Sequence, residues 1–295
     1  MKPNIKVNFT AEVSSNHSQD IKRCIDFIEK AAHSGCNSVK FQLFKVDELF
    51  SKEILINSKQ HRDRKNWELP VEFIPKLSEY CHKLGMQFSC TPFYLDAVKQ
   101  LEPYVDFYKI ASYELLWKDL FIECVKTGKP LVFSTGMSNI DEIKTVLKNI
   151  TGYKTKDITI LKCTSAYPTP PHEANLSAIN TLKYELREFN NCFNLKFGYS
   201  DHTVSKNVIN RAVNHYNCEF IEFHLDIDGK GAEYNSGHCW LPNEIKDVIE
   251  NIKNDFVSDG NGVFGPTESE LPDRLWRADP VDGLRPFKEI RKNYE

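Results

Sequence analysis

Ser38-Val39-Lys40-Phe41-Gln42-Leu43 places Val39, Phe41 and Leu43 on one face of an extended chain and Lys40 and Gln42 on the other, because successive strand side chains alternate sides. The apolar face must be covered by helices, so Lys40 and Gln42 turn into an enclosed interior. The same parity recurs. Asn8, Thr10 and Glu12 oppose Phe9, Ala11 and Val13; Ser89 is in phase with Thr91, Ser200 with His202, and Glu222 with His224. An inner wall that turns polar toward the C-terminal end of each strand is how a parallel barrel builds an active site.

Eight β-prone runs carry this pattern, near residues 7–13, 38–44, 87–93, 105–112, 130–136, 158–165, 194–202 and 218–225. Segments of helical period separate them. In the first, Ile21, Ile25, Ile28 and Ala32 repeat at three and four residues, Ser18 is placed as N-cap, and Gly35 suits the left-handed position past the end. The next starts around Pro70, buries Phe73, Leu77, Tyr80 and Leu84, and stops at Gly85; the fifth runs from Asn139 through Ile140, Ile143, Leu147 and Ile150 to Gly152. Such alternation calls for right-handed βαβ crossovers. With eight units and no G-x-G-x-x-G after the first strand, closure into a (β/α)8 TIM barrel is expected over an open doubly wound sheet. The barrel is expected to occupy residues 1–258. A tail of residues 259–295, richer in glycine, proline and charge, is too short for a second domain.

The chain has 295 residues and a formal charge of −3 with both signs intermixed, so no global field points to nucleic acid or an acidic membrane. Nine scattered cysteines without a C-x-x-C pair suit reduced thiols in a cytoplasmic protein. Met1-Lys2-Pro3-Asn4 lacks a signal-peptide core, and no apolar stretch approaches a membrane span.

Three long connections lie on the expected C-terminal face: residues 45–69, the proline-stiffened loop with Pro168, Pro170 and Pro171, and residues 226–240. Loops of that length are commonly functional. His202 and His224, on neighbouring strand ends, are placed to share one divalent metal. Lys40 and Lys109 on one inner wall either flank an anion, helped by hydroxyls of Thr91, Ser112, Ser134 and Ser200 and by backbone N–H groups at Thr135-Gly136, or pair with Glu12, Glu114 or Glu222. Glu12 is a general-base candidate or an ion-pair partner. Tyr167 lies in a rigid polar loop that can cover substrate, while His17, His172 and His238 read as solvated or substrate-edge residues.

At these motifs the chain resembles the sialic acid synthase family, whose members condense phosphoenolpyruvate with an amino-sugar aldose. The likeness runs through Asn16-His17, Val39-Lys40-Phe41-Gln42, Cys90-Thr91-Pro92-Phe93, Tyr108-Lys109-Ile110-Ala111-Ser112, Ser134-Thr135-Gly136-Met137, Cys163-Thr164 with Tyr167-Pro168-Thr169-Pro170, and Ser200-Asp201-His202-Thr203. The resemblance implies that His202 and His224 hold a divalent metal, manganese first, with magnesium or cobalt as alternatives. It implies that Lys40, Thr91, Lys109, Ser112, Ser134, Ser165 and Ser200 surround phosphoenolpyruvate, Ser165 standing where the family often has asparagine. Gln42, Glu114, Tyr167 and Glu233 would face the aldose. In the implied reaction C3 of the enol phosphate attacks the open-chain aldehyde, water activated near Glu12 or the metal adds at C2, and phosphate leaves by C–O cleavage. The products are a 3-deoxy-2-keto sugar acid and phosphate. The family also implies a homodimer and a C-terminal antifreeze-like domain whose arginine reaches a partner's sugar site. Here residues 259–295 carry Arg274, Trp276, Arg277, Arg285 and Phe287; either one of these arginines takes over that contact or the stretch is an ordinary solvated tail packed under the barrel. Two other readings stay open: a Schiff-base aldolase using Lys109 or Lys162, and a non-catalytic sugar-phosphate-binding barrel.

Overall fold

The computed structural model describes residues 7–294. Eight strands, β1 (Asn8–Glu12), β2 (Ser38–Leu43), β3 (Gln87–Pro92), β4 (Phe107–Ile110), β5 (Leu131–Ser134), β6 (Asp157–Cys163), β7 (Asn194–Asp201) and β8 (Phe220–Leu225), pair in parallel in chain order. β8 then pairs with β1, Glu12 opposite His224, and the barrel closes. Each strand is followed by a helix: α1 (Ile21–His33), α2 (Ile74–Lys83), α3 (Leu95–Leu101), α4 (Lys118–Lys126), α5 (Ile140–Ile150), α6 (Ala178–Glu185), α7 (Lys206–Asn214) and α8 (Pro242–Ser258). The chain divides into two compact units, one running to Asn254 and one from Asp255 to Glu295; Arg274, Arg277 and Arg285 belong to the second. No helix among the described residues is long and apolar enough to cross a membrane, and all nine cysteines are free thiols.

Two helices depart in detail from the sequence expectation. Asp20 caps α1, its carboxylate accepting from the Lys22 N–H at 2.8 Å, while Ser18 adopts a left-handed φ of 53° that no N-cap uses. The buried stripe of α1 is Cys24, Phe27, Ile28 and Ala31, one step round from the isoleucine repeat. A 3₁₀ turn at Val71–Phe73 delays α2, which buries Ile74, Leu77, Ser78 and Cys81 and leaves Leu84 41% exposed. α5 follows its sequence pattern. Asn139 and Glu142 form a reciprocal capping box and Ile143, Val146, Leu147 and Ile150 are buried.

Inside the barrel, Phe107, Val132, Leu161 and Phe220 form an apolar cluster, with Phe107 and Phe220 edge to face at 5.8 Å. Two residues further along the same strand faces come Lys109, Ser134, Cys163 and Glu222. One step of the period-2 pattern thus separates a dry floor from a polar rim. Gly198 on β7 makes the floor fit, because a Cβ there would lie 2.2 Å from the Phe220 carbonyl oxygen and 2.7 Å from Leu161. A short strand, β9 (Cys239–Trp240), adds to the end of β8 with Cys239 beside His224. It is held by the Trp240 indole N–H, which donates to Asp201 at 3.1 Å. Two residues are too few to show a period, and the sequence reading did not contain β9.

Gly198→Ala is expected to destabilise the barrel by about 3 kcal/mol, the upper range for overpacking, read as a fall in urea midpoint. An unchanged midpoint would mean that the floor is not close-packed at β7.

Candidate active site

Above the floor a cavity of about 760 Å³ opens at the C-terminal mouth. Its deepest polar groups are Lys40 and Lys109, 3% and 2% exposed. Lys40 Nζ is ion-paired with the Glu12 carboxylate, donates to Thr91 Oγ1 at 3.1 Å and lies 3.9 Å from Glu222 Oε2. Lys109 Nζ lies 3.3 Å from Glu222 Oε1, which also accepts from Ser200 Oγ at 3.0 Å. Both lysines therefore point inward and share one carboxylate. Of the three candidate ion-pair partners, Glu12 and Glu222 fill the role and Glu114 does not.

The charges tune one another. Burial would pull Lys40 down, but Glu12 and Glu222 outweigh it and hold the ammonium above its ordinary value. Lys109 is pulled down by burial, only partly offset by Glu222. Burial likewise opposes ionisation of Glu222, yet Lys109 and Lys40 hold its carboxyl down at about 2. Glu12 is fixed by further donors, its Oε1 accepting from the Ser14 N–H at 3.0 Å and from Gln42 Nε2 at 2.9 Å.

Ser112, Ser134 and Ser200 line the same cavity. Ser112 Oγ accepts the Gly136 N–H at 3.0 Å, and Ser134 Oγ is buried without a hydrogen-bond partner. A Cβ on Gly136 would come within 2.1 Å of Ser165 Oγ and 2.9 Å of Ser112 Oγ, so only glycine leaves both hydroxyls their space. Ser165 and Thr91 stand behind the lining rather than on it. Lys162 has the opposite parity to the lining residue Cys163; its Nζ donates to Thr164 Oγ1 at 2.6 Å, off the cavity wall.

His202 and His224 face each other with ring centroids 5.2 Å apart. The Thr164 carbonyl, 2.8 Å from His202 Nδ1, and the Glu233 carboxylate, 3.0 Å from His224 Nδ1, can only accept. Each ring therefore donates from Nδ1 and keeps Nε2 free. Burial lowers both histidines and keeps them neutral. Neutral imidazoles oriented through their second nitrogen are the donor set a divalent metal needs, so the residues fit such an ion. Tyr167 lies against His202, centroids 4.2 Å apart, and burial raises its phenol.

His17 differs from the sequence expectation, while His238 keeps to its substrate-edge half by lining the cavity. His17 is buried, accepts the Gln19 N–H at Nδ1, and is lowered to about 4 by burial. His238 is buried as well, 3.4 Å from Glu233 through Nε2. His172, by contrast, is solvated. The long loop after β2 folds into short helices at Val46–Leu49, Lys52–Asn57 and Lys59–Arg62 and sets Phe50, His61, Arg64 and Trp67 on the cavity wall. The Arg64 guanidinium lies over Phe50 and Trp67, 5.4 and 5.5 Å from their centroids, and its buried Nε has no acceptor. The length of the loop was the only sequence signal for these residues.

Against known proteins, the chain matches the NeuB family over residues 27–264. It belongs to that family. An uncharacterized protein of Methanocaldococcus jannaschii is 34% identical over 268 residues, covering 88% of this chain and 75% of the relative. The N,N'-diacetyllegionaminic acid synthase of Legionella pneumophila is 30% identical, covering 95% and 82%. Among solved structures, the N-acetylneuraminic acid synthetase of Leptospira borgpetersenii in complex with citrate superposes with a TM-score of 0.77 at 26% identity, covering 92% of this chain and 94% of that one.

In this NeuB-family cavity Glu114 titrates near neutrality. Burial raises its carboxyl from 4.5 to about 7, against weaker pulls from Lys109 and its own backbone, and Oε2 has no partner. The folded state thus holds this proton more tightly than the unfolded chain. Stability from the group is complete below about pH 4.5 and is lost as the pH rises through about 7. Urea midpoints across pH 4.5–8 should show that decline in the wild type and a flatter profile in Glu114→Gln; parallel profiles would place Glu114 in an ordinary, solvated setting.

Proposed function

We propose that this NeuB-family chain condenses phosphoenolpyruvate with an open-chain amino-sugar aldose, giving a sialic-acid-like 3-deoxy-2-keto sugar acid and phosphate. The observation that carries the reading is the buried Lys40–Glu222–Lys109 cluster set directly beside the facing His202–His224 pair. Names of relatives support it, since they include synthases of legionaminic and pseudaminic acids.

Lys40 and Lys109, with Ser112, Ser134 and Ser200, hold the phosphate and carboxylate of the enol ester, competing with Glu222 for the same ammonium groups. Thr91 steadies Lys40 through its hydroxyl, and Ser165, whose buried Oγ has no partner, stands beside Gly136 as a further hydroxyl for the enol ester. Gln42, Glu114, Tyr167 and Glu233 face the aldose and orient its hydroxyls. Lys40 and Lys109 are balanced by Glu12 and Glu222, two against two; His202 and His224 would hold a divalent metal, whose chemistry there would be surplus positive charge to polarise the aldehyde. Manganese and cobalt suit imidazole-plus-oxygen ligation, and magnesium suits its oxygen part. With the substrates aligned, C3 bonds to the aldehyde carbon as the C=C and C=O π bonds open, and the water that adds at C2 gives one proton to Glu12, which passes it to the new alkoxide. Cleavage of the C2–O bond then releases phosphate, which carries off the second water proton, and leaves the keto group.

Phosphate release from a panel of hexosamine and dideoxy-diamino aldoses with Mn²⁺ should require both phosphoenolpyruvate and one aldose. Release without an aldose would count against condensation. Lys109→Met should lower kcat/KM for phosphoenolpyruvate by about 100-fold or more, the scale for losing one preorganised charge contact. Borohydride should trap no adduct on Lys109; a trapped adduct would replace this reading with the Schiff-base aldolase.

A further inference from the structure

We propose that His238 is a third protein donor at the His202–His224 centre, so that three imidazoles hold the cation. The inference rests on the metal-assisted reading above and goes beyond the histidine pair legible in the sequence.

Three rings converge. His224 and His238 have centroids 4.7 Å apart, His202 and His224 5.2 Å, and His202 and His238 6.2 Å. A metal about 2.1 Å from each nitrogen sets ring centres roughly 4.5–5.5 Å apart. Two of the three pairs already stand at that spacing, and the third needs a shift of roughly 1 Å, within reach of side-chain rotation. Ligand atoms of His224, Glu233, His238 and Cys239 all lie within 4.8 Å of one another; His202 stands outside that group and approaches it through its ring, 5.2 Å from His224 and 6.2 Å from His238 between centroids.

The hydrogen bonding of the three rings follows one rule. The Thr164 carbonyl engages Nδ1 of His202, and Glu233 Oε2 engages Nδ1 of His224. The same Glu233 oxygen lies 3.4 Å from Nε2 of His238. Each imidazole thus turns one nitrogen to an oxygen acceptor and presents the other as a bare lone pair, the arrangement that orients metal-bound histidines. For His238 that second nitrogen, Nδ1, is buried and has no partner. A buried polar atom left unpaired is costly, and a cation is the partner that the surrounding donors would share. Cys239 is not needed in the set, because its sulfur already accepts from Asn16 Nδ2 at 3.5 Å. Placement of His238 follows from β9, whose pairing beside His224 draws the preceding residue over the rim. Three neutral imidazoles favour borderline ions such as Co²⁺ and Zn²⁺ over Mg²⁺.

The test uses the full chain stripped of metal and dialysed against Co²⁺, Zn²⁺, Mn²⁺ or Mg²⁺ singly, with bound metal counted by atomic emission and the Co²⁺ absorption spectrum recorded. The wild type should bind one equivalent of Co²⁺. His238→Ala should weaken that binding at least tenfold and alter the visible bands, while Cys239→Ser leaves both unchanged. If His238→Ala loses its far-ultraviolet circular dichroism, His238→Gln carries the same comparison. Wild-type affinity and spectrum in the folded His238 variant would overturn the inference, as would a wild type that binds none of the four ions. Phosphate release measured on the same preparations separates the two readings: persistent turnover with unaltered metal binding in the variant sinks the third donor and leaves the synthase standing.

Discussion

Everything at the mouth of this barrel is organised around one buried carboxylate shared by two buried ammonium groups. Lys40 and Lys109 could not both remain charged in a dry interior without a counter-ion, and Glu222, 3.9 and 3.3 Å from them, supplies it. Removing one member of such a cluster leaves an uncompensated charge, which costs far more than the pair itself contributes. Glu12 completes the balance from the neighbouring strand. The register that sets Glu12 beside both Lys40 and His224 ties this cluster to the histidines, so the lysine cluster and the imidazole pair share one backbone frame.

Glu233 links the two halves in another way. Its Oε1 accepts from Ser14 Oγ at 2.6 Å and its Oε2 serves His224, while its own N–H donates to Asn16 Oδ1 at 2.8 Å. Burial opposes its ionisation, but His224 and His238 hold the carboxyl well below the ordinary range. A loop residue is thereby as firmly placed as any on a strand, tied to the start of the chain by Ser14 and Asn16.

How much of this was legible depends on which residues obey a period. Strand parity carried the barrel, the inward lysines and the facing histidines, because alternation is a covalent property of extended chain. Helix faces were less secure. An isoleucine repeat in α1 competed with Cys24, Phe27 and Ala31, and the small and aromatic residues took the buried side. Arg64 and β9 had no signal beyond loop length, and His238 none for its burial beside Glu233, since loops fold by particular hydrogen bonds and ring contacts that have no repeat. Glu222 was visible only as one of three possible lysine partners, and choosing among them required distances.

The apolar floor of Phe107, Val132, Leu161 and Phe220, made tight by the missing side chain at Gly198, has a topological result. Among the described residues it closes the cylinder into a blind well that opens at the C-terminal mouth. Whatever seats against the lysines must pass the histidines on the way in, and a second molecule lodged above it bars its exit.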